Sequence, residues 1–276
     1  MRTRLTELLK IDHPVMLAGM GGVSYHQVVA AVSEAGGFGC LGASTMGHEE
    51  MVGEIEKVRG LTGKPFGVDL LTAAPQDLQA KVQDIIDGGA SVFVAGLGIP
   101  AEVVAQCHEQ DVLVINMCGK VSHAVRAVEA GCDVVVAQGT EAGGHTGQVA
   151  TMALVPQVVD AVGAQVPVVA AGGLFDGRGL AAALSLGADG IWVGTRFIAT
   201  PEAMALPVTV IARKQSSVGA LYTASAVRQG HSGGNSRGVF SDTAAGCAAV
   251  SSVCIFPCDF RGLFLHSPVR SALPMT

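Results

Sequence analysis

Residues 138–147, QGTEAGGHTG, place a carboxylate (Glu141) and an imidazole (His145) four positions apart on a stretch with four glycines. An imidazole titrates near neutral pH and can take up or return a proton there, so His145 is a candidate general base. Gly143 and Gly144 leave room beside it for a flat ring and a small substrate. Glu141 has two readings, a hydrogen bond within its loop or a negative charge that tunes His145, and the sequence leaves both open. Gln138 directly follows the apolar run DVVVA, a polar side chain where that run ends. A histidine among glycines is also what an ordinary solvent-exposed loop contains. The elements around it must decide.

A second group of residues suits an anion. AAGGLFDGRG (170–179) and VGTRF (193–197) are two glycine turns. Gly172, Gly173 and Gly194 let backbone N–H groups approach a phosphate closely, unpaired N–H groups at a following helical turn attract it, and Thr195 adds a hydroxyl donor. One such turn alone would be a tight βα connection. Two on neighbouring strands point to a phosphate site.

Stepping outward, one unit recurs: a helical stretch, a glycine turn, then a short β-branched run. VVAAVSEAGGFGCLGA (28–43), VQDIIDGGASVFVAG (82–96), AVRAVEAGCDVVVAQG (124–139) and LAAALSLGADGIWVGT (180–195) are four copies. Strands are predicted near 15–18, 38–42, 66–70, 91–95, 112–116, 133–137, 167–171 and 190–194, with helical segments between them. Eight evenly spaced parallel strands favour a closed TIM (β/α)8 barrel over an open doubly wound sheet, and barrel chemistry sits on loops after the strand C-termini. The histidine loop follows the sixth strand, and the two anion turns follow the seventh and eighth.

Composition narrows the function classes. With 49% apolar residues, 14% charged residues, a net charge of −6 and no basic block, the chain reads as a globular protein without nucleic acid as a partner. The N-terminus lacks the apolar core of a secretory signal, and the longest uncharged late stretch, 243–258, is too short for a bilayer span, so a cytoplasmic protein without a membrane anchor is expected. Seven scattered cysteines form no CxxC pair; Cys254 and Cys258 lack a nearby histidine, and no metal site is expected. His13, His26, His48, His108 and His123 have no partner by spacing and read as solvated positions. Nothing in the sequence fixes an oligomeric state.

The motifs AQGTEAGGHTG, AAGGLFDGRGLAAALSLGADG and VGTRFIATPEA, with LAGMGG at the first strand and PFGVDLL at the third, resemble the nitronate monooxygenase family over roughly residues 5–203. They are also similar to FMN-dependent enoyl-ACP reductases. The resemblance implies a TIM barrel holding FMN, its ring near Met20, Gly21 and Gly22 and its phosphate at Gly172, Gly173, Gly194 and Thr195. It also implies that His145 faces the flavin, acting on the substrate's acidic C–H or positioning its nitro group, and that Gln138 is a polar contact to the flavin ring or phosphate arm. Two positions depart from the family pattern. Asp69 stands where members often carry an asparagine for the flavin pyrimidine edge, and Met117 lies near where some have a basic residue. Both departures point toward a subgroup whose substrate differs from a nitronate.

From Met204 the chain changes character. Residues 1–203 carry 11 Lys/Arg and 21 Asp/Glu, whereas 204–276 carry 6 and 2. Helical and strand periodicity disappear, so residues 1–203 are read as the FMN-binding barrel and 204–276 as a divergent tail without a catalytic group. A separate small module and non-native sequence after a change of reading frame or splice both fit, the charge reversal favouring the second.

Three functions follow: an FMN-dependent oxidase of alkyl nitronates or nitroalkanes using O2, an NAD(P)H-dependent flavin reductase of an enoyl or acyl thioester, and a flavin-binding protein impaired in turnover by its tail.

Overall fold

In a computed structural model of the chain, the described residues are 1–73 and 77–204, with the backbone of three two-residue strands beyond them. Eight strands form one parallel ladder: β1 (Val15–Leu17), β2 (Gly39–Gly42), β3 (Phe66–Leu71), β4 (Val92–Gly96), β5 (Leu113–Cys118), β6 (Val134–Gln138), β7 (Val168–Ala171) and β8 (Gly190–Val193). Each pairs with its sequence neighbour, and β8 returns to β1 with Val15 opposite Ile191. Between β1 and β2 a parallel bridge at Met16 and Phe38 completes the ring, with Leu17 N donating to Phe38 O at 2.8 Å. The eight strands close into the TIM barrel expected from the repeat.

Helices α1 (Arg4–Leu9), α2 (His26–Glu34), α3 (His48–Leu61), α4 (Leu78–Asp87), α5 (Ala101–His108), α6 (Val121–Glu129), α7 (Thr151–Val162), α8 (Gly177–Ser185) and α9 (Thr195–Ile198) alternate with the strands. The repeat's glycines end four of them: Gly36, Gly89, Gly131 and Gly187, after α2, α4, α6 and α8, all hold positive φ. A side chain there would clash with the backbone, so the sequence stops each helix at a fixed place and returns the chain to the next strand.

Alternation along each strand sorts the core into two layers. Leu41, Val68, Val135 and Ile191 pack outward against the helices. Met16, Phe38, Cys40, Val92, Val94, Ile115, Val136, Val169 and Trp192 fill the lumen together with Leu5, Leu9 and Ile11. Those last three belong to α1 and its exit, which plug the N-terminal end of the barrel. Leu5 is fully buried, contributing on the order of 2 kcal/mol by leaving water. The plug is latched by Arg4, whose Nε and Nη2 donate to Asp189 at 3.0 and 2.7 Å and whose Nη1 donates to Gly163 O at 2.6 Å. With that end sealed, only the C-terminal end can admit a ligand.

Three histidines read as solvated have carboxylate partners far along the chain: His26 with Glu54 at 2.7 Å, His48 with Asp84 at 3.1 Å and His108 with Asp133 at 2.9 Å. These pairs join neighbouring helices, or a helix and the turn before β6, which local spacing does not reveal.

Strands 210–211, 222–223 and 253–254 pair antiparallel as a separate three-stranded ladder. The expectations for the tail, including its lack of a catalytic group and the side chains of Cys254 and Cys258, lie outside the described residues.

Candidate functional site

All the candidate residues end or follow barrel strands at the C-terminal face. Met20, Gly21 and Gly22 follow β1, Asp69 lies on β3, and Gln138 closes β6 before Gly143, Gly144 and His145. Gly172 and Gly173 follow β7, while Gly194 and Thr195 follow β8.

The loop after β1 lies against its neighbours because they lack side chains. The Met20 backbone crosses Gly42, where a Cβ would fall 2.4 Å from three Met20 backbone atoms. A Cβ on Gly194 would lie 3.3 Å from Met20 Sδ, so the turns after β1 and β8 adjoin. The fully buried Ser24, which sequence reasoning passed over, fixes this loop: Met20 N donates to Ser24 Oγ at 2.7 Å, and Ser24 Oγ donates to Met20 O at 3.2 Å. Its only sequence signal is a serine ahead of a helix, which ordinarily reads as a cap.

Asp69 faces the lumen, since Phe66, Val68 and Leu70 on the same strand face the helices. It is the one carboxylate among lumen-facing strand residues in the described chain, above a floor of Cys40, Val94, Ile115, Val136 and Trp192. Burial raises its pKa to about 7. A carboxyl poised near neutrality can donate a hydrogen bond in one state and accept in the other. Met117, on β5, is half-buried and packs with the lumen residues.

The histidine loop is held at several points. Gln138 Nε2 donates to Gly143 O at 3.2 Å, Thr140 N donates to Val149 O at 2.9 Å, and Gly147 packs on Gly119 so tightly that a Cβ would fall 2.1 Å from Gly119 O. Gly143 and Gly144 have open space where a Cβ would stand, and the His145 side chain is exposed. Gln138 therefore spends its amide on its own loop. Glu141 does not turn toward His145: both carboxylate oxygens accept from Thr151 N, at 3.1 and 2.9 Å. Burial works to raise the Glu141 pKa, but the Thr151 hydrogen bonds outweigh it and hold the carboxyl below its usual range.

The turn after β7 has Gly172 at φ +107° and Gly173 at φ +69°. That backbone is one L residues rarely adopt and glycine adopts without strain. The helix that follows has an acceptor of its own at its start. Asp176 accepts from Arg178 N at 3.0 Å and Gly179 N at 3.3 Å, so the first turn of α8 is already capped. Any phosphate is left to the turn itself and to the start of α9, whose cap Gly194 has no side chain.

These features fit a bound flavin: backbone cradles that a Cβ would fill, an apolar floor, a glycine turn with positive φ, and one lumen-facing carboxyl. The match to known proteins is equally specific. The family model for nitronate monooxygenases matches residues 2–87 and 72–244. The chain belongs to the nitronate monooxygenase family. The match runs past residue 203, where the motif resemblance ended.

Among relatives of this nitronate monooxygenase family member, the (3aS,4S,5R,7aS)-5-hydroxy-7a-methyl-1-oxo-octahydro-1H-indene-4-carboxyl-CoA dehydrogenase of Mycobacterium tuberculosis is 45% identical over 203 residues, covering 73% of this chain and 57% of the relative. The chain thus spans little more than half the length of that relative. A probable nitronate monooxygenase of Staphylococcus haemolyticus is 34% identical, covering 86% of this chain and 77% of its own. Among solved structures, FabK of Thermotoga maritima superposes with a TM-score of 0.72 at 40% identity, over 75% of this chain and 66% of that one. A nitroalkane oxidase of Streptomyces ansochromogenes gives 0.69 at 34% identity, over 74% and 70%. In the described residues no helix is long and apolar enough to cross a membrane.

Proposed function

We propose that this family member is an FMN-dependent oxidoreductase that oxidises alkyl nitronates or nitroalkanes with O2. The observation that carries the reading is the meeting of the His145 loop and the glycine turn after β7 at one end of a barrel sealed at the other. Bound FMN would take an electron pair from the substrate and pass it to O2.

The protein's own part is binding, orientation and proton handling. N–H groups of Gly172 and Gly173, with Gly194 and Thr195, would hold the phosphate. Met20, Gly21 and Gly22 would contact the ring, and Asp69 would offer its carboxyl to the ring's polar groups. Gln138, Gly143 and Gly144 shape the space in which His145 removes the acidic C–H proton or orients the nitro group. An exposed imidazole on a loop pinned at both ends has access to a ligand without losing its place.

The 45% identity to a carboxyl-CoA dehydrogenase favours a second reading, in which the same flavin site reduces an enoyl or acyl thioester with NAD(P)H. Asp69 and Met117, both departures from the nitronate pattern, point the same way. Oxygen uptake with ethyl nitronate, set beside NADPH consumption with an enoyl thioester, separates the two. Uptake with the nitronate alone supports the first reading. Consumption with the thioester alone replaces it by the second, and silence in both leaves a flavin-binding protein impaired in turnover.

A further inference from the structure

The Glu141 carboxylate reaches out of its own loop, and what it grips links the two halves of the site. Thr151 is the first residue of α7, and the cap before it, Ala150, offers no side-chain acceptor. The helix N-terminus takes its acceptor from the histidine loop instead, and a carboxylate is well placed there against the helix dipole. Besides its N–H, Thr151 brings its hydroxyl to 2.9 Å from Glu141 Oε2 and 3.0 Å from Gly172 O. Ala171 O, at 3.3 Å from the same hydroxyl, already accepts from Gly139 N.

Packing at this point is close on every side. A Cβ on Gly172 would stand 2.7 Å from Thr151 Oγ1 and 3.1 Å from Ala142 N. One on Gly173 would stand 3.4 Å from Glu141 Cβ, and one on Gly139 would fall within 2.1 Å of Thr151 Oγ1. The histidine loop and the glycine turn after β7 therefore share one joint.

We propose that Glu141, through Thr151, is a positioning residue that couples occupation of the turn after β7 to the ordering of the loop bearing His145. The inference rests on the flavin reading above. An anion that fixes the Gly172–Gly173 turn fixes Thr151, and Thr151 fixes Glu141 and the loop. Once one segment is ordered, the cost of ordering the other falls.

The test is hydrogen exchange of residues 139–147 in the full chain, with and without saturating FMN, in the parent and in Glu141→Ala, Glu141→Gln and Thr151→Val. In the parent, FMN should slow exchange of this loop by about five- to tenfold, a usual size for coupling between sites. Glu141→Ala and Thr151→Val should each lose that protection while FMN remains bound, and the double variant should be no worse than either single one. Glu141→Gln, which keeps one acceptor, should retain part of it and serves as the reference if the alanine variant fails to fold. Equal FMN protection in the parent and Glu141→Gln, or in the parent and a folded Glu141→Ala, overturns the coupling, as do additive effects in the double variant. Failure of the parent to bind FMN at all defeats the flavin reading, and the coupling to it, by a different result.

Discussion

Gly19 and Asp69 are in direct contact: a Cβ built on Gly19 would stand 2.3 Å from Asp69 Cβ and 2.5 Å from Asp69 Oδ2. The loop after β1 can lie beside the carboxyl only because it presents bare backbone. Gly19→Ala should displace one of the two, with a stability loss on the order of 1–3 kcal/mol, as for overpacked sites. Thermal unfolding and flavin content read this together. A variant with parental melting and flavin would show that the contact is soft.

Asp69 also makes stability depend on pH. Burial raises its folded pKa to about 7 from the ordinary carboxyl value of 3.8. Below the unfolded value both states carry the proton and the group contributes nothing. Between about pH 4 and 7 the unfolded chain ionises while the folded one resists, so the group costs stability progressively, and the cost is constant above about 7. Asp69→Asn removes this dependence. Its stability advantage over the parent should widen by at least about 1 kcal/mol from pH 4 to 7 and then level off, since one pKa unit corresponds to about 1.4 kcal/mol. Denaturant midpoints of flavin-free protein across that range check it; an advantage that shrinks with rising pH contradicts the assignment.

Gly173 tests the anion turn. At φ +69°, with Glu141 Cβ 3.4 Å from the place a Cβ would take, a bulky β-branched residue is both strained and crowded. Gly173→Val should lose flavin on gel filtration while keeping its barrel circular dichroism. Undiminished flavin would move the phosphate elsewhere.

Much of this was legible in the residues because the signals were local. Apolar β-branched runs set the eight strands to within a residue or two, and the glycines after α2, α4, α6 and α8 marked their ends. What stayed hidden was long-range. Glu141 could not be assigned because its partner Thr151 lies ten residues on, at a helix start whose preceding alanine gives no capping signal. The latch between Arg4 and Asp189 spans 185 positions. Asp176 was legible in principle, as an aspartate directly before a helix, but the surrounding glycines drew the reading toward a phosphate loop.

The central claim is that His145 handles a substrate beside a flavin at this end of the barrel. The most direct measurement is anaerobic mixing of purified, flavin-loaded protein with nitroethane, whose C–H proton must be removed before oxidation, following the flavin absorbance in the parent and in His145→Ala. The account predicts that the parent bleaches, and that the variant retains its flavin but bleaches at least about tenfold more slowly, within the range of general-base contributions. A parent that stays yellow with nitroethane, or a variant that bleaches at the parental rate, would contradict it.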